Sequence, residues 1–239
     1  MYRYVCFPVS LLNIRLIWKS ALKIREKRIF FERWKMYKRF FKRLIDIFLS
    51  LIGLIILAIP MLVVAVIIKM DSPGPTIFKQ KRVGIHKSHF EIYKFRSMPT
   101  TVPKDTPTHE FKAEDVLSKW QKFMRKSSID ELPQLINILK GDMSIIGPRP
   151  ALWNQYDLIE ERDKYGANDI RPGLTGWAQI NGRDELEIPI KAQFDGEYVE
   201  KLSFAFDCKC FFGTIKSVLS SEGVVEGGTG SKEKEEVMK

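Results

Sequence analysis

The stretch RKSSIDELPQLINILKGDMSIIGPRP, Arg125 to Pro150, decides how the rest of the chain is read. Leu132, Leu135, Ile136 and Leu139 recur at helical spacing, and Gly141 follows where a C-cap glycine stands, so a short helix is predicted. Asp130 and Glu131 fall in or just before its first turn, where unbonded N–H groups and the helix dipole favour negative charge. A purely structural reading exists: Ser128 and Glu131 are spaced as a capping box, and first-turn acids stabilise many helices. The neighbourhood argues for more. Arg125 precedes the helix and Arg149 follows it, and both suit bidentate phosphate contacts. Gly147, Pro148 and Pro150 set the backbone around Arg149. A rigid arginine near two carboxylates is the pattern of a phosphate site.

Upstream, Ile47 to Ile68 is a run of 22 residues without a charge, enough to span a hydrocarbon core as a helix. A transmembrane anchor is the simplest reading. Two features argue against it. Pro60 sits inside the run and invites a kink, and basic residues flank both ends (Lys42, Arg43 and Lys69), so loop charge gives no orientation. A re-entrant helix that bends at Pro60 and leaves on the face it entered satisfies both facts.

The 239 residues carry a formal net charge of +10, and that excess is N-terminal. Residues 1–43 hold 13 Lys and Arg against 2 Glu, while the remainder holds 26 basic and 27 acidic side chains. Trp18, Phe30, Phe31, Trp34, Tyr37, Phe40 and Phe41 interleave with the charges, as in a helix lying on an anionic bilayer surface. Stacking on single-stranded nucleic acid is the alternative, but the arm runs straight into the apolar segment, which favours membrane. Residues 4–24 lack a cleavage site after a clean apolar core and read as an interfacial helix, not a signal peptide. The three cysteines, Cys6, Cys208 and Cys210, are odd in number and show no CxxC spacing, so the sequence indicates neither a disulfide framework nor a zinc site. His86, His89 and His109 read as surface residues.

Between these landmarks, Asp71 to Pro75 is turn chemistry that ends the apolar segment. Thr76–Val83 and His89–Phe95 read as a hairpin across Gly84, and Pro99–Thr108 as a loop. Lys112–Met124 has Val116, Leu117, Trp120 and Met124 on one face, for headgroups or for a core. Tyr156–Tyr165, Ile190–Leu202 and Phe204–Leu219 are helix candidates. Arg171–Arg183 reads as a Gly-rich loop with a short strand, either a structural turn set by Pro172 and Gly173 or a substrate wall with Trp177 stacking and arginines on phosphate. The whole is predicted as α+β and mostly helical: a basic arm (1–41), a re-entrant membrane helix (42–70), a domain with a small β-hairpin (71–226), which the resemblance given next implies is cytoplasmic and catalytic, and a disordered tail (227–239).

Read in order, Lys42-x-x-x-Asp46, DSPGP, FKQKRVG, KFRSM, SIDELPQLINILKGDMSIIGPRP, RPGLTGWAQINGR and DGEYVE resemble the bacterial sugar transferase family, the monotopic polyprenol-phosphate phosphoglycosyl transferases. The resemblance runs from about Lys42 to Gly228. Pro60 matches the family's helix-breaking proline, although Ile59 stands where a serine is common. The block between KFRSM and the acidic pair diverges, and the basic arm is not covered.

The resemblance implies transfer of a sugar 1-phosphate from a UDP-sugar to undecaprenyl phosphate, giving UMP and a polyprenyl-diphosphate sugar, the first step of an exopolysaccharide, capsule or other surface glycan. It implies Asp130 as nucleophile through an acyl-phosphate, and Glu131 as a second catalytic carboxylate that helps hold Mg²⁺. Arg125 and Arg149 are implied on phosphate oxygens, with Lys94, Arg96, Arg183 and Asp207 as further substrate residues. Membrane lipid is an implied partner, nucleic acid is not, and a homodimer is left open. The implied location is the cytoplasmic face of the bacterial inner (plasma) membrane. A non-catalytic membrane-bound scaffold is the rival reading, and no residue distinguishes the sugar.

Overall fold

The computed structural model describes residues 36–99, 117–182 and 186–220. Most of the basic arm, most of the Pro- and Thr-rich loop, Arg183 and the acidic tail lie outside them.

A π-helical turn, Tyr37–Phe41, leads into α1, Lys42–Asp71. Strands β1, Ile77–Val83, and β2, His89–Phe95, form the expected antiparallel hairpin, with Ile77 opposite Phe95 and Val83 opposite His89. Helix α2, Lys119–Lys126, is capped by a true capping box, Ser118 with Gln121. The Ile129–Glu131 turn follows, then α3, Gln134–Lys140, and β3, Ser144–Ile146. Helix α4 is Tyr156–Asp163, and β4, Gly173–Thr175, pairs parallel with β3. The short α5, Trp177–Ile180, the helix α6, Ile188–Lys201, and α7, Phe204–Ser220, complete the described residues.

Helix α1 is continuous through Pro60. Pro60 lies within it, removing one backbone hydrogen bond, and contacts elsewhere along the helix hold it to the domain. Those contacts run the length of the helix. At its start Lys42 reaches Asp207 on α7, Arg43 donates to the Ile138 and Leu139 carbonyls of α3, and Asp46 accepts from the Ile145 N–H of β3. Midway, Gly53 lies so close to Leu135 that a methyl group there would sit 3.2 Å from its side chain. At the far end Val64 and Ile68 pack with Phe95 of β2 and Met124 of α2.

A helix crossing a bilayer carries its ends to opposite sides. Here both ends and the middle rest on one folded body. The opposite face is exposed and apolar (Phe48, Ile55, Ile56, Ile59, Leu62, Val66), far larger than a soluble monomer leaves uncovered. The helix is long and apolar enough to cross a membrane by length and composition.

The hairpin is held between two layers. Period two sends Phe90, Ile92 and Lys94 to one side, where Ile92 packs with Leu135, Ile138 and Met143, and sends Phe95 to the α1 side. Asn137, fully buried on α3, accepts from the Tyr93 N–H and donates to the Glu91 carbonyl, locking the register of β2 against α3. Strands β3 and β4 bring the two Gly-rich motifs into backbone contact: a methyl group on Gly176 would lie 2.1 Å from the Gly147 oxygen.

Candidate active site

The hairpin, α3 and the loop after β3 converge on the acidic pair. Asp130 is buried in the Ile129–Glu131 turn, and the Ser97 hydroxyl donates to its Oδ2 at 3.3 Å. Glu131 Oε1 accepts from Lys94 Nζ at 2.8 Å and from Arg149 Nη2 at 2.9 Å. Lys94 arrives because it shares the β2 face that packs on α3. Arg149 arrives because Arg82 of β1 donates to the neighbouring Pro150 carbonyl and Val83 N–H to that of Ala151, tying its loop to the hairpin edge. Arg125, at the end of α2, adds a third cation near Asp130.

The two carboxyls are driven apart. Burial raises the Asp130 pKa above the usual range, and Glu131 adds to the rise while Lys94, Arg125 and Arg149 oppose it. Burial works the same way on Glu131, but Arg149 and Lys94 bond it directly and hold its carboxyl well below the usual range. The ionised form of Glu131 is therefore favoured inside a cationic clamp, while burial disfavours that of Asp130. That is a chemically differentiated pair.

The helix itself follows the expected spacing, with Gly141 at φ +98° as its C-cap. The Ser128 capping box does not form: Ser128 sits at φ +56° and its side chain caps nothing. Its left-handed backbone instead turns the chain from α2 into the acidic turn. The other end of α3 is closed by two arginines: Arg43 takes the Ile138 and Leu139 carbonyls, and Arg171 Nε takes that of Gly141 at 3.1 Å.

Arg171 thus caps a helix, in line with the structural reading of its motif and not with the phosphate contact. Arg96 is placed similarly. Its buried guanidinium donates to the Ile68, Ser72 and Pro73 carbonyls, capping the C-terminus of α1. Asp207 is also turned to structure, accepting from Tyr37, Lys42 and Tyr198 at 2.6–2.7 Å. Trp177 packs against Phe194 and Phe206 and donates to Glu197, so it belongs to the core side of its motif. Arg183 is outside the described residues. Ser97 was the residue missed; its only signal was its place two after Phe95 in KFRSM.

Among the described residues no group of three or more His, Cys, Asp and Glu forms a metal cage. The donor set suits Mg²⁺ only in company. Magnesium is held by one or two carboxylates plus substrate phosphates and water, and the cations around this pair oppose a bare ion until a diphosphate adds negative charge.

The family model for bacterial sugar transferases matches residues 37–221, and the chain belongs to that family. It is 39% identical over 183 residues to the uncharacterized sugar transferase EpsL of Bacillus subtilis, covering 77% of this chain and 89% of that protein. It is 38% identical over 185 residues to the UDP-glucose:undecaprenyl-phosphate glucose-1-phosphate transferase of Escherichia coli, covering 74% of this chain and 40% of the relative. The undecaprenyl-phosphate galactose phosphotransferase of Salmonella typhimurium is 35% identical over 207 residues, covering 79% of this chain and 42% of the relative. The chain thus spans about two-fifths of these two longer relatives.

Proposed function

We propose that the protein transfers a sugar 1-phosphate from a UDP-sugar to undecaprenyl phosphate, at the cytoplasmic face of the bacterial plasma membrane. The observation that carries the reading is the split pair: a buried Asp130 beside a Glu131 clamped by Lys94 and Arg149. The family membership supports it.

In this reaction an Asp130 oxygen attacks the sugar-bearing phosphorus, the bond from that phosphorus to the bridging oxygen breaks, and UMP leaves with the electron pair. An oxygen of undecaprenyl phosphate then attacks the same phosphorus and releases the Asp130 carboxylate, completing two displacements. The Ser97 hydroxyl orients the attacking oxygen. Lys94, Arg125 and Arg149 offset charge on the phosphates during each displacement. Magnesium, when bound with Glu131 and the diphosphate, would screen the phosphates from the approaching carboxylate.

The membrane helix gives the acceptor its approach. Its apolar face lies in the bilayer, and both its ends return to the folded domain on the cytoplasmic side, where basic residues such as Lys42, Arg43 and Lys69 are favoured. The test is UMP release from a panel of UDP-sugars with undecaprenyl phosphate and Mg²⁺, wild type against Asp130→Asn. Turnover of one or more sugars, abolished in the variant and by a chelator, supports the reading and identifies the sugar. No turnover across the panel removes it.

A further inference from the structure

The two buried amides of α3 differ in one respect. Asn137 donates to the Glu91 carbonyl and to Asp142, and accepts from the Tyr93 N–H. Gln134, one turn earlier and only 1% exposed, buries its Nε2 with no acceptor among the described residues. An unmet buried donor costs stability, so such a group is seldom kept without a use.

The position of that donor points to Glu131. From Ser128 to Ile136 the chain closes i→i+3 hydrogen bonds at 3.0–3.2 Å: Glu131 N–H to the Ser128 carbonyl, Leu132 to Ile129, Leu135 to Leu132 and Ile136 to Pro133. At about three residues per turn, side chains three apart eclipse one another. Gln134 therefore stacks next to Glu131, and an amide–carboxylate bond at that spacing is an ordinary helical pair. Glu131 instead turns its Oε1 to Lys94 and Arg149.

Those two cations are also the ones set to meet the donor's phosphates. As they turn to phosphate oxygens, hydrogen bonds leave Glu131, whose side chain is only 15% exposed. A buried carboxylate stripped of its donors is costly. We propose that Gln134 is a positioning residue that makes good this loss: its Nε2–H donates to Glu131 once a diphosphate has drawn Lys94 and Arg149 away. Glu131 then stays hydrogen-bonded and fixed in place while both cations serve the phosphates. The diphosphate rests on the proposed reaction, but the hand-over can be tested without one.

The first arm of the test is a cycle of Lys94→Met and Gln134→Met in the full chain in detergent micelles, read as Tm with no ligand. Alone, Gln134→Met is expected to leave Tm at or above wild type, since an unmet donor is removed. In the Lys94→Met background it is expected to lower Tm, because Gln134 has there taken the place of Lys94. A lower Tm for Gln134→Met alone, as for an amide that merely holds a buried water, overturns the proposal, and so do additive effects. The second arm adds UDP with Mg²⁺, a diphosphate that carries no sugar. The Tm rise it gives wild type is expected to be largely lost in Gln134→Met. KM for the UDP-sugar is expected to rise about 10–100-fold with kcat less affected, as when a partner behind a ligating carboxylate goes. A full Tm rise with an unchanged KM overturns the proposal. A wild type that neither gains Tm with UDP nor turns over a UDP-sugar overturns the reaction, and with it the role of the diphosphate, whatever the cycle shows.

Discussion

Lys94 Nζ lies 2.8 Å from Glu131 Oε1, the same oxygen that accepts from Arg149 at 2.9 Å. One strand and one loop, 55 residues apart in sequence, thus meet on a single atom of the acidic pair. Lys94→Met leaves Glu131, which is only 15% exposed, with half its clamp. Stability is expected to fall by about 1–3 kcal/mol in urea unfolding, as when a buried charged partner is lost. Turnover is expected to fall by roughly 100-fold or more, since a cation near the transferring phosphoryl group goes with it. Near-normal turnover in that variant would remove Lys94 from the site.

Asp130 sets the acid limb of the pH profile. Its carboxyl must be ionised to attack, and burial raises its pKa from the ordinary 3.8, so turnover is lost as pH falls through a value above 3.8. Lys94 is the strongest group opposing that rise, so a residually active Lys94→Arg enzyme keeps the limb in place while Lys94→Met moves it to higher pH.

The same shift reports on stability. Because the folded-state pKa of Asp130 exceeds the unfolded one, its contribution is most favourable below 3.8 and is lost as pH rises through the folded value. At pH 7 the buried carboxylate therefore destabilises the fold. Asp130→Asn is expected to raise the Tm at pH 7 while abolishing activity, with the gap to wild type closing as pH falls. A lower Tm at pH 7 would contradict this account of the residue.

Arg43 couples the membrane helix to the site, because it caps α3 from α1. Arg43→Met is expected to cost about 1–2 kcal/mol, from lost hydrogen bonds and helix-dipole interaction. It is expected to lower kcat more than it raises KM for the UDP-sugar, as it alters the placement of the acidic pair and not the donor contacts.

The two Gly-rich motifs offer a separate check. A methyl group on Gly176 meets the Gly147 oxygen at 2.1 Å, so Gly176→Ala must part β3 from β4. A loss of about 3 kcal/mol is expected, the upper range for overpacking, read as a shifted urea midpoint with Arg149-dependent turnover falling in step.

What was legible in the chain was local. The α3 spacing and its Gly141 cap, the hairpin and the apolar run each rest on neighbours within a few residues, and all appear in the structure. The family's ordered motifs carried Asp130, Glu131, Lys94 and Arg149 to one place. Arg96, Arg171 and Asp207 were less legible because their partners are chosen by tertiary packing. Each takes a partner 24 or more residues away, and all three look like substrate residues by charge alone. Ser128 shows the same limit at short range, since a left-handed backbone overrides a capping pattern.

The central claim is that Asp130 becomes covalently loaded. The direct measurement is intact-protein mass of the full chain incubated with Mg²⁺ and its preferred UDP-sugar, with no polyprenol phosphate present. The account predicts an increase equal to one sugar phosphate, localised to Asp130 by peptide mapping, removed by hydroxylamine and absent in Asp130→Asn. No adduct, with UMP formed only once the acceptor is added, would contradict it and point to a single direct displacement.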